Sequence, residues 1–583
     1  MTALRHKAIW LLSSRLRVFV VVAVVGSSMG LLGAWYLWPR EEQPTCSGSF
    51  DLVVAGAEVI DGLGGKSFLA DIGIREKRIA CIGTFGPNVG RRVIHAEGLT
   101  VAPGFVDVHT HVERNVSPTA PFKAANFVRQ GVTTLITGNC GRSFLRISEL
   151  FRDLEKSGTD VNVASLIGHN TIRLRVMNQS GAAPTAKQLE MMKELAEAAM
   201  RDGALGISTG LEYVPGTFAS TDELVALAKA VEPSGGIYAS HLRYEGSKGE
   251  EAIREAISIA KQSGIHVHLS HLKVQGPLQW GSAQQRLGLV KAAEAEGLWI
   301  SMDQYPYAAS STGLAILLPS WVSEGGLNSS RQRLGDPAIR KKVRDEMVRD
   351  LRALGWQDYS YARIAYCESD RSLVGLTISE VSHRRASAHS TERQAAHAQL
   401  KSTATASQIP SDNETELEHQ ADTVMDLYSH GSAQMIFFNM NEADVETIMR
   451  NPEVMFGSDS SVREADSADL PHPRGLGTFP RVLGTYARDK ELFSLEEAIR
   501  RMTSLPARTF GLTDRGQIKT GYWADLVVFD GSRIHDTATY EKPLSPPEGI
   551  EYVLVNGSVV ADHGVLTTAL PGMAIRHVVA ASQ

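Results

Sequence analysis

Two hydrophobic patterns alternate along most of the chain. Short apolar runs bounded by Gly, Asn or Ser are typical of buried strands, and the segments between them repeat apolar residues every three to four positions, as amphipathic helices do. Hydroxyl residues followed three positions later by Gln or Glu mark two helix starts, at Thr185 and Ser220. The strand-like runs are GFVDVHTH (104–111), GVTTLITG (131–138), NVASLIGH (162–169), ALGISTG (204–210), GGIYASH (235–241), HVHLSHLK (266–273), WISMDQYPY (299–307) and VMFGSD (454–459). Eight strands joined by helices predict an α/β fold, a TIM-like (β/α)8 barrel, with its functional side chains at the carboxyl ends of the strands.

The two ends of the chain carry a different pattern, in which short alternating β-type runs are separated by Gly or Asn turns. They predict one small β domain built from residues 50–102 and 511–583, with the barrel in residues 103–510 between them. The connection between the seventh and eighth barrel strands is long and contains the polar stretch Ala386 to Glu418. We therefore predict an insertion at about residues 314–440 that includes a lid and a disordered polar loop.

The segment Val18 to Trp38 contains 21 residues and no charged side chain, so a helix there is long enough to cross about 30 Å of hydrocarbon. Basic residues precede it, and the positive-inside rule then places residues 1–17 in the cytoplasm as a basic tail. We predict a single-pass membrane protein whose signal anchor holds the catalytic body on the periplasmic or extracellular side. A cleaved signal peptide and a buried core helix are the alternatives.

Composition excludes several classes of protein. Hydrophobic residues make up 43% of the 583 residues and charged residues 21%, which is ordinary for a folded globular body and unlike a disordered chain. The formal net charge of −6 provides no basic field for a polyanion, so we expect no nucleic-acid partner. The four cysteines are too scattered to indicate a disulfide framework or a CxxC zinc knuckle.

Candidate metal ligands lie at the ends of the predicted strands. His109 and His111 are two positions apart on the first strand, so their side chains leave the same face. Four further candidates end later strands: Cys140, His241, His271 and Asp459. Each alone has an ordinary structural explanation, such as core packing for a cysteine. Because all six fall at one end of the barrel, and because imidazole with thiolate favours zinc over Mg²⁺ or Ca²⁺, the sequence predicts a zinc site.

Longer motifs resemble one known family. They are PGFVDVHTH, GVTTLITGNCG, GALGISTGLEYVPGTFAS, GGIYASHLRYEG, HLSHLK, DQYPY, MFGSD, HPRGLGTFPRVLG, MTSLPARTFGLTDRGQIKTGYWADLVVFD and EYVLVNGSVV. Together they resemble the N-acyl-D-amino-acid deacylases, or D-aminoacylases, of the amidohydrolase superfamily, and the resemblance extends over roughly residues 51–564. In that family a cysteine, here Cys140 of GNCG, replaces the carboxylated lysine that bridges two metals in many relatives. The fourth strand here, ALGISTG, accordingly contains no lysine.

The resemblance implies a metal site with two unequal positions. Cys140, His241 and His271 would bind zinc tightly, and His109 with His111 would complete a weaker second position that shares the cysteine.

The resemblance also implies how the substrate is bound and cleaved. Asp459 would act as the catalytic base, taking a proton from the attacking water and passing it to the leaving amine. The residues implied to bind the substrate, including its carboxylate, are Lys273, Arg474, Tyr213, Tyr305 and Ser311. The expected reaction is hydrolysis of N-acyl-D-amino acids to a carboxylate and a free D-amino acid.

Some functional questions stay open at this point. Relatives differ in the D-residue they prefer, and some accept dipeptides that end in a D-residue. This chain has Val112, Glu113 and Arg114 after HTH, where the family commonly has acidic residues, so its entrance beside the first strand is expected to differ. The alternatives to a deacylase are a cyclic amidase of the hydantoinase or dihydropyrimidinase type and a membrane-tethered barrel without catalytic activity.

Overall fold

The eight predicted barrel strands are present, in sequence order and parallel to one another. The computed structural model describes residues 48–87, 89–397, 412–464 and 467–578. The barrel strands are Phe105–Asp107, Val132–Thr137, Asn162–Ser165 with its continuation Ile167–Gly168, Gly206–Gly210, Ile237–His241, His266–Leu269, Ile300–Gln304 and Val454–Phe456. Two backbone hydrogen bonds close the barrel between its last and first strands. The amide of Asp459 donates to the carbonyl of His109 at 2.8 Å, and the amide of His111 donates to the carbonyl of Ser460 at 2.8 Å.

Helices follow most of the strands and bury their apolar faces against them. The described helices are Ala125–Val128, Ile147–Ser157, His169–Met177, Ala186–Asp202, Thr221–Val231, Gly249–Ser263, Ala283–Ala295, Leu327–Gly335, Pro337–Leu354, Ile378–His397, Asp412–Ser429, Glu442–Met449, Arg474–Arg481, Leu495–Met502 and Ser504–Thr509. Both predicted helix starts are confirmed. Thr185 forms a capping box with Gln188, and the hydroxyl of Ser220 accepts a hydrogen bond from the amide of Glu223.

Strands from both ends of the chain form a second sheet beside the barrel. Its members are Phe50–Val59, Phe68–Arg75, Arg78–Gly83, Gly90–His95, Thr100–Pro103, Leu526–Phe529, Ile550–Val555, Ser558–Asp562 and Val565–Leu566. The N-terminal and C-terminal parts join where Thr100–Pro103 pairs antiparallel with Leu526–Phe529. Leu52, Ile72, Val101 and Leu526 pack in the buried core of this sheet.

The long connection after the seventh barrel strand folds on its own core. Ser310–Gly313, Ala362–Cys367 and Ala433–Phe437 form a three-stranded antiparallel sheet. Where a polar loop was predicted, helices Ile378–His397 and Asp412–Ser429 cover both ends of the stretch, and residues 398–411 lie outside the described residues. The apolar periodicity of this stretch is weak, and ion pairs supply part of the packing of the helix Asp412–Ser429. Those ion pairs are Arg340 with Asp422, Arg340 with Asp426 and Arg344 with Asp422.

The predicted membrane helix has to be corrected. A helix must bring roughly 20 apolar residues together to span a bilayer, and in the described part of the chain none is both long and apolar enough. The segment Val18 to Trp38 itself lies outside the described residues. A transmembrane helix, a signal anchor, a membrane partner and a single-pass location are therefore not supported.

Candidate metal centre

The predicted metal ligands converge at the carboxyl ends of the barrel strands. The Sγ atom of Cys140 lies 3.3 Å from Nε2 of His109, 3.5 Å from Nε2 of His271 and 3.7 Å from Nδ1 of His241. Nδ1 of His241 and Nε2 of His271 are 2.9 Å apart. His111 lies at the edge of this group, with its ring 5.4 Å from the ring of His109. Four buried side chains thus direct a donor atom at one small volume.

Three of the residues at this centre share an unusual backbone conformation. Cys140, His271 and Asp459 each follow a barrel strand and have positive φ angles of 49°, 36° and 50°. Residues other than glycine rarely adopt this left-handed region, and such outliers concentrate at functional sites. The conformation turns the chain just after the strand ends, which brings the three side chains toward the barrel axis.

Behind each histidine that faces the cysteine lies a carboxylate, which is buried for Asp303 and Glu245 and partly exposed for Glu212. Nδ1 of His109 is 3.4 Å from Oδ2 of Asp303. Nε2 of His241 is 3.2 Å from Glu212, and Nδ1 of His271 is 3.2 Å from Glu245. A carboxylate behind a ligating histidine fixes its tautomer and orientation and increases its basicity.

Sequence reasoning missed these three carboxylates, Glu212, Glu245 and Asp303. A signal was available, because Glu212 and Glu245 come two and four residues after the ends of Gly206–Gly210 and Ile237–His241, and Asp303 lies inside Ile300–Gln304. All three therefore fall at the same edge of the barrel as the histidines.

The protonation of the donors fits a bound cation. Burial lowers the pKa of His271 to about 3, helped by the positive charge of Lys273, and burial also lowers the pKa of His109. Neutral imidazoles keep the lone pair that a metal needs. Burial, with the charge of Asp459 nearby, raises the pKa of the Cys140 thiol well above its usual value. A divalent cation supplies the positive charge that a buried thiolate requires, so this donor set suits a metal with affinity for sulfur and nitrogen.

Asp459 sits between the centre and a buried arginine. Its Oδ1 is 3.0 Å from Nε2 of His111, and its Oδ2 is 2.7 Å from Nη1 of Arg474. Burial by itself would raise the pKa of Asp459, but Arg474 and the hydrogen bond from His111 outweigh it and hold this pKa well below its usual range. Asp459 is therefore an ionised carboxylate at neutral pH.

The residues predicted to bind the substrate gather around the same point. Lys273, Tyr213, Tyr305 and Ser311 line one cavity of about 420 Å³ together with His241, His271 and Asp459. Arg474 lies behind it, with its guanidinium 4.6 Å from the centre of the Tyr305 ring and Nη2 donating to the carbonyl of Ser311 at 3.2 Å.

The two cations among the predicted substrate-binding residues, Lys273 and Arg474, already have carboxylate partners in the protein. Lys273 Nζ lies 2.5 Å from a carboxylate oxygen of Glu245, and Arg474 is paired with Asp459. The ammonium and guanidinium groups offer three and five N–H donors, so each can hold a second carboxylate beside its first.

The divergent segment after the first strand has its own local structure. Glu113–Asn115 forms a single 3₁₀ turn, and the carboxylate of Glu113 points inward to accept a hydrogen bond from the Thr137 hydroxyl at 2.7 Å. Arg114 is exposed and lines a separate cavity of about 520 Å³. Arg142 lines the same cavity, so two arginines lie on this side of the barrel mouth.

Comparison with known proteins defines the class. The sequence profile of the amidohydrolase family matches residues 92–561, so the chain belongs to that family. The D-aminoacylase of Alcaligenes xylosoxydans xylosoxydans is 34% identical over 540 residues, which cover 88% of this chain and 94% of that protein. The resemblance to the N-acyl-D-amino-acid deacylases is thereby confirmed, and the chain is an amidohydrolase of this type.

Solved structures extend the comparison to metal chemistry. A D-aminoacylase whose structure addresses the functional role of a binuclear metal centre has a TM-score of 0.72 and 32% identity, with 90% of this chain and all of that chain covered. The N-acyl-D-glutamate deacylase of Bordetella bronchiseptica, in complex with zinc and a phosphonate mimic of the tetrahedral intermediate, has a TM-score of 0.73 and 30% identity, with 91% of this chain and all of that chain covered. The metal dependence predicted from the strand ends is supported.

Proposed function

We propose that this chain hydrolyses the amide bond of N-acyl-D-amino acids with zinc as its metal. Cys140, His241 and His271 hold the tight position, and His109 and His111 complete a second position that shares the thiolate. The observation that carries the proposal is the convergence of the Cys140 thiol with three histidines, each of which has a carboxylate behind it. Sulfur and imidazole donors favour zinc over cations that prefer oxygen.

The side chains around this centre transfer the proton and orient the base. When bound, zinc lowers the pKa of a water molecule to about 7 and polarises the acyl carbonyl. Asp459, ionised beside Arg474, accepts a proton at its carboxylate and delivers it to the nitrogen of the leaving amine. His111 and Arg474 fix the two carboxylate oxygens, so that the base stays oriented toward the cavity.

Stereochemical selectivity follows from two fixed points. Arg474 and Lys273, with the hydroxyl groups of Tyr213, Tyr305 and Ser311 nearby, hold the substrate carboxylate while the acyl carbonyl lies at the metal centre. The Tyr305 hydroxyl is buried and makes no hydrogen bond within the described part of the chain, so it is available to a ligand. With two groups fixed, the substituent on the α-carbon has one open direction, and the relatives named above favour the D-isomer.

The test combines zinc analysis with paired substrates. We expect bound zinc and a higher kcat/KM for N-acetyl-D-amino acids than for their L-isomers. Arg474→Ala should weaken substrate binding by about 2–5 kcal/mol, because a charge-assisted partner is lost from a buried site, and it should reduce the D preference. Arg371→Ala, which removes an exposed arginine paired with Asp469, is the control.

Other results would point elsewhere. A wild-type preference for L-substrates, or a D preference unchanged in Arg474→Ala, would place the carboxylate anchor at another residue. Cleavage of hydantoin or dihydrouracil rings in place of linear amides would favour a cyclic amidase. Activity on dipeptides with a C-terminal D-residue would extend the substrate class without changing the mechanism.

A further inference from the structure

The cavity at the metal centre has two chemically different halves. Its inner half is polar and is lined by His241, His271, Lys273 and Asp459. Its outer half is formed largely by the insertion between the seventh and eighth barrel strands. The apolar side chains of that outer wall are Ile316, Leu317, Leu318, Leu354, Trp356 and Phe437. A substrate held at the metal centre thus faces an apolar wall on its outward side.

This apolar wall continues to the protein surface. The amide of Leu278 donates to the carbonyl of Leu354 at 3.2 Å, and the Leu278 side chain is 67% exposed. The Trp280 ring lies edge-on to Trp356 with ring centres 6.1 Å apart, and 38% of Trp280 is exposed. Tyr244, 41% exposed, lines the cavity. Exposed apolar residues beside a cavity mouth are typical of a ligand-binding groove.

Two of the cations that line the cavity, Arg243 and Lys273, are paired with carboxylates, and a third, Lys248, lies over a tyrosine ring. The Arg243 guanidinium pairs with Glu255 at 2.9 Å and donates to two backbone carbonyls. The Lys248 ammonium lies 5.3 Å from the centre of the Tyr244 ring. Lys273, at the inner end, pairs with Glu245. An apolar extension of the substrate therefore suits this region better than an anionic one.

We propose that the outer half of the cavity binds an extended apolar acyl chain, so that the preferred substrates are N-acyl-D-amino acids with an acyl group much longer than acetyl. This inference rests on the proposed function and names its acyl specificity. A side chain on the α-carbon ends after a few atoms, whereas a linear acyl chain can follow the wall from the metal centre to Leu278 and Trp280. Each methylene that is fully buried favours binding by up to about fourfold.

The experiment measures kcat/KM for two substrate series with the full zinc-loaded chain. The first series is N-acetyl-, N-butanoyl-, N-hexanoyl- and N-octanoyl-D-alanine, and the second is N-acetyl-D-alanine, -D-leucine and -D-tryptophan. We expect kcat/KM to rise by roughly tenfold or more along the acyl series, within the gain that burial of several methylenes allows. A flat or falling acyl series overturns the inference, and a rise confined to the second series places the apolar group on the α-carbon instead.

A pair of variants locates the effect. Leu317 is half-buried at the end of the short turn Leu314–Leu317 and lines the cavity, so Leu317→Ser should flatten the acyl series when each kcat/KM is divided by the same variant's value for N-acetyl-D-alanine. Leu69→Ser, in the β sheet away from the barrel mouth and 75% exposed, should preserve the wild-type slope. An unchanged slope in Leu317→Ser overturns the assignment of this wall.

The two proposals fail in distinguishable ways. Hydrolysis of N-acetyl-D-alanine with no gain from longer acyl groups overturns the acyl-chain inference alone. Hydrolysis of no member of either series overturns the proposed function, and the inference with it.

Discussion

The two ends of one barrel strand carry buried histidines whose pKa values are lowered to a similar level. His266 begins the strand His266–Leu269, and His271 follows its end by two residues. Burial lowers the pKa of each imidazole to about 3. By burial and by pKa alone, the two residues look the same.

The side chains around His266 and His271 distinguish the two residues. His266 stacks flat on Trp299 with ring centres 4.0 Å apart, and its Nε2 lies 2.8 Å from the Ser301 hydroxyl. His271 instead meets the Cys140 thiol at 3.5 Å and has Glu245 behind its other nitrogen at 3.2 Å. Burial therefore does not mark a functional histidine in this barrel. What marks it is the arrival of donor atoms from several different strands at one point.

The largest effect is expected from removing the thiol at the functional end. Cys140→Ala should lose most of the bound zinc and the activity together, because the thiolate is shared by both metal positions in the proposed site. Elemental analysis and kcat measure the two losses. Cys367→Ala, which alters another buried free cysteine, is the matched control and should keep both. Full zinc occupancy in a folded Cys140→Ala protein would refute the ligand assignment.

Substitution of the proposed base, Asp459, should reduce catalysis without loss of the metal. Asp459→Asn should retain zinc and lose roughly 10²-fold or more in kcat, the range for general acid–base catalysis. The measurement is kcat at saturating substrate, with zinc content determined on the same sample. Turnover near that of the wild type would exclude Asp459 as the base.

A smaller effect is expected from the carboxylates that support the histidines. Glu212→Gln should weaken zinc binding by roughly 10- to 100-fold, because the amide orients His241 less strongly than a carboxylate does. Competition with a chelator measures the affinity. Glu223→Gln is the control, because Glu223 also holds a buried histidine, His169 at 2.9 Å, but away from the metal centre. Equal weakening in both variants would mean that the effect comes from general destabilisation.

The smallest effect is expected at the other end of the strand. The folded state keeps His266 neutral down to about pH 3, while the unfolded chain takes up a proton near pH 6.5, so the unfolded state binds more protons between these values. The free energy of unfolding should therefore fall as pH decreases through this window, by at most about 1.4 kcal/mol per pH unit from this group. Urea denaturation at pH 7 and pH 4.5 measures the change.

The matched variants for this last prediction are His266→Gln and His95→Gln. His266→Gln should lose less stability on acidification than the wild type and should keep its zinc and activity at pH 7. His95, whose side chain is 77% exposed, should have no such effect when changed to glutamine. Loss of zinc in His266→Gln would contradict the contrast between the two ends of the strand.

Much of the architecture could be predicted because its causes are local. Apolar runs of strand length, helical periodicity and capping residues such as Thr185 and Ser220 act within a few positions of the chain, so they are visible in the sequence. The order of strands and helices then restricts the fold to a barrel, and the barrel puts His109, Cys140, His241 and His271 at one mouth. The helix Asp412–Ser429 of the insertion was missed because part of its packing uses ion pairs with Arg340 and Arg344, which no local pattern indicates.

The sequence by itself determined the alternation of strands and helices and the donor types at the strand ends, because both depend on residues close together in the chain. Only the tertiary structure decided which side chains contact one another. It determines which carboxylate lies behind each histidine and that Arg474 pairs with Asp459, and it places the apolar wall of the insertion at the cavity. Those contacts join residues far apart in the chain, and their geometry depends on how the barrel closes and where the insertion packs. Distances and burial set the strength of an interaction between charges, so the electrostatics of this site exist only in the folded molecule.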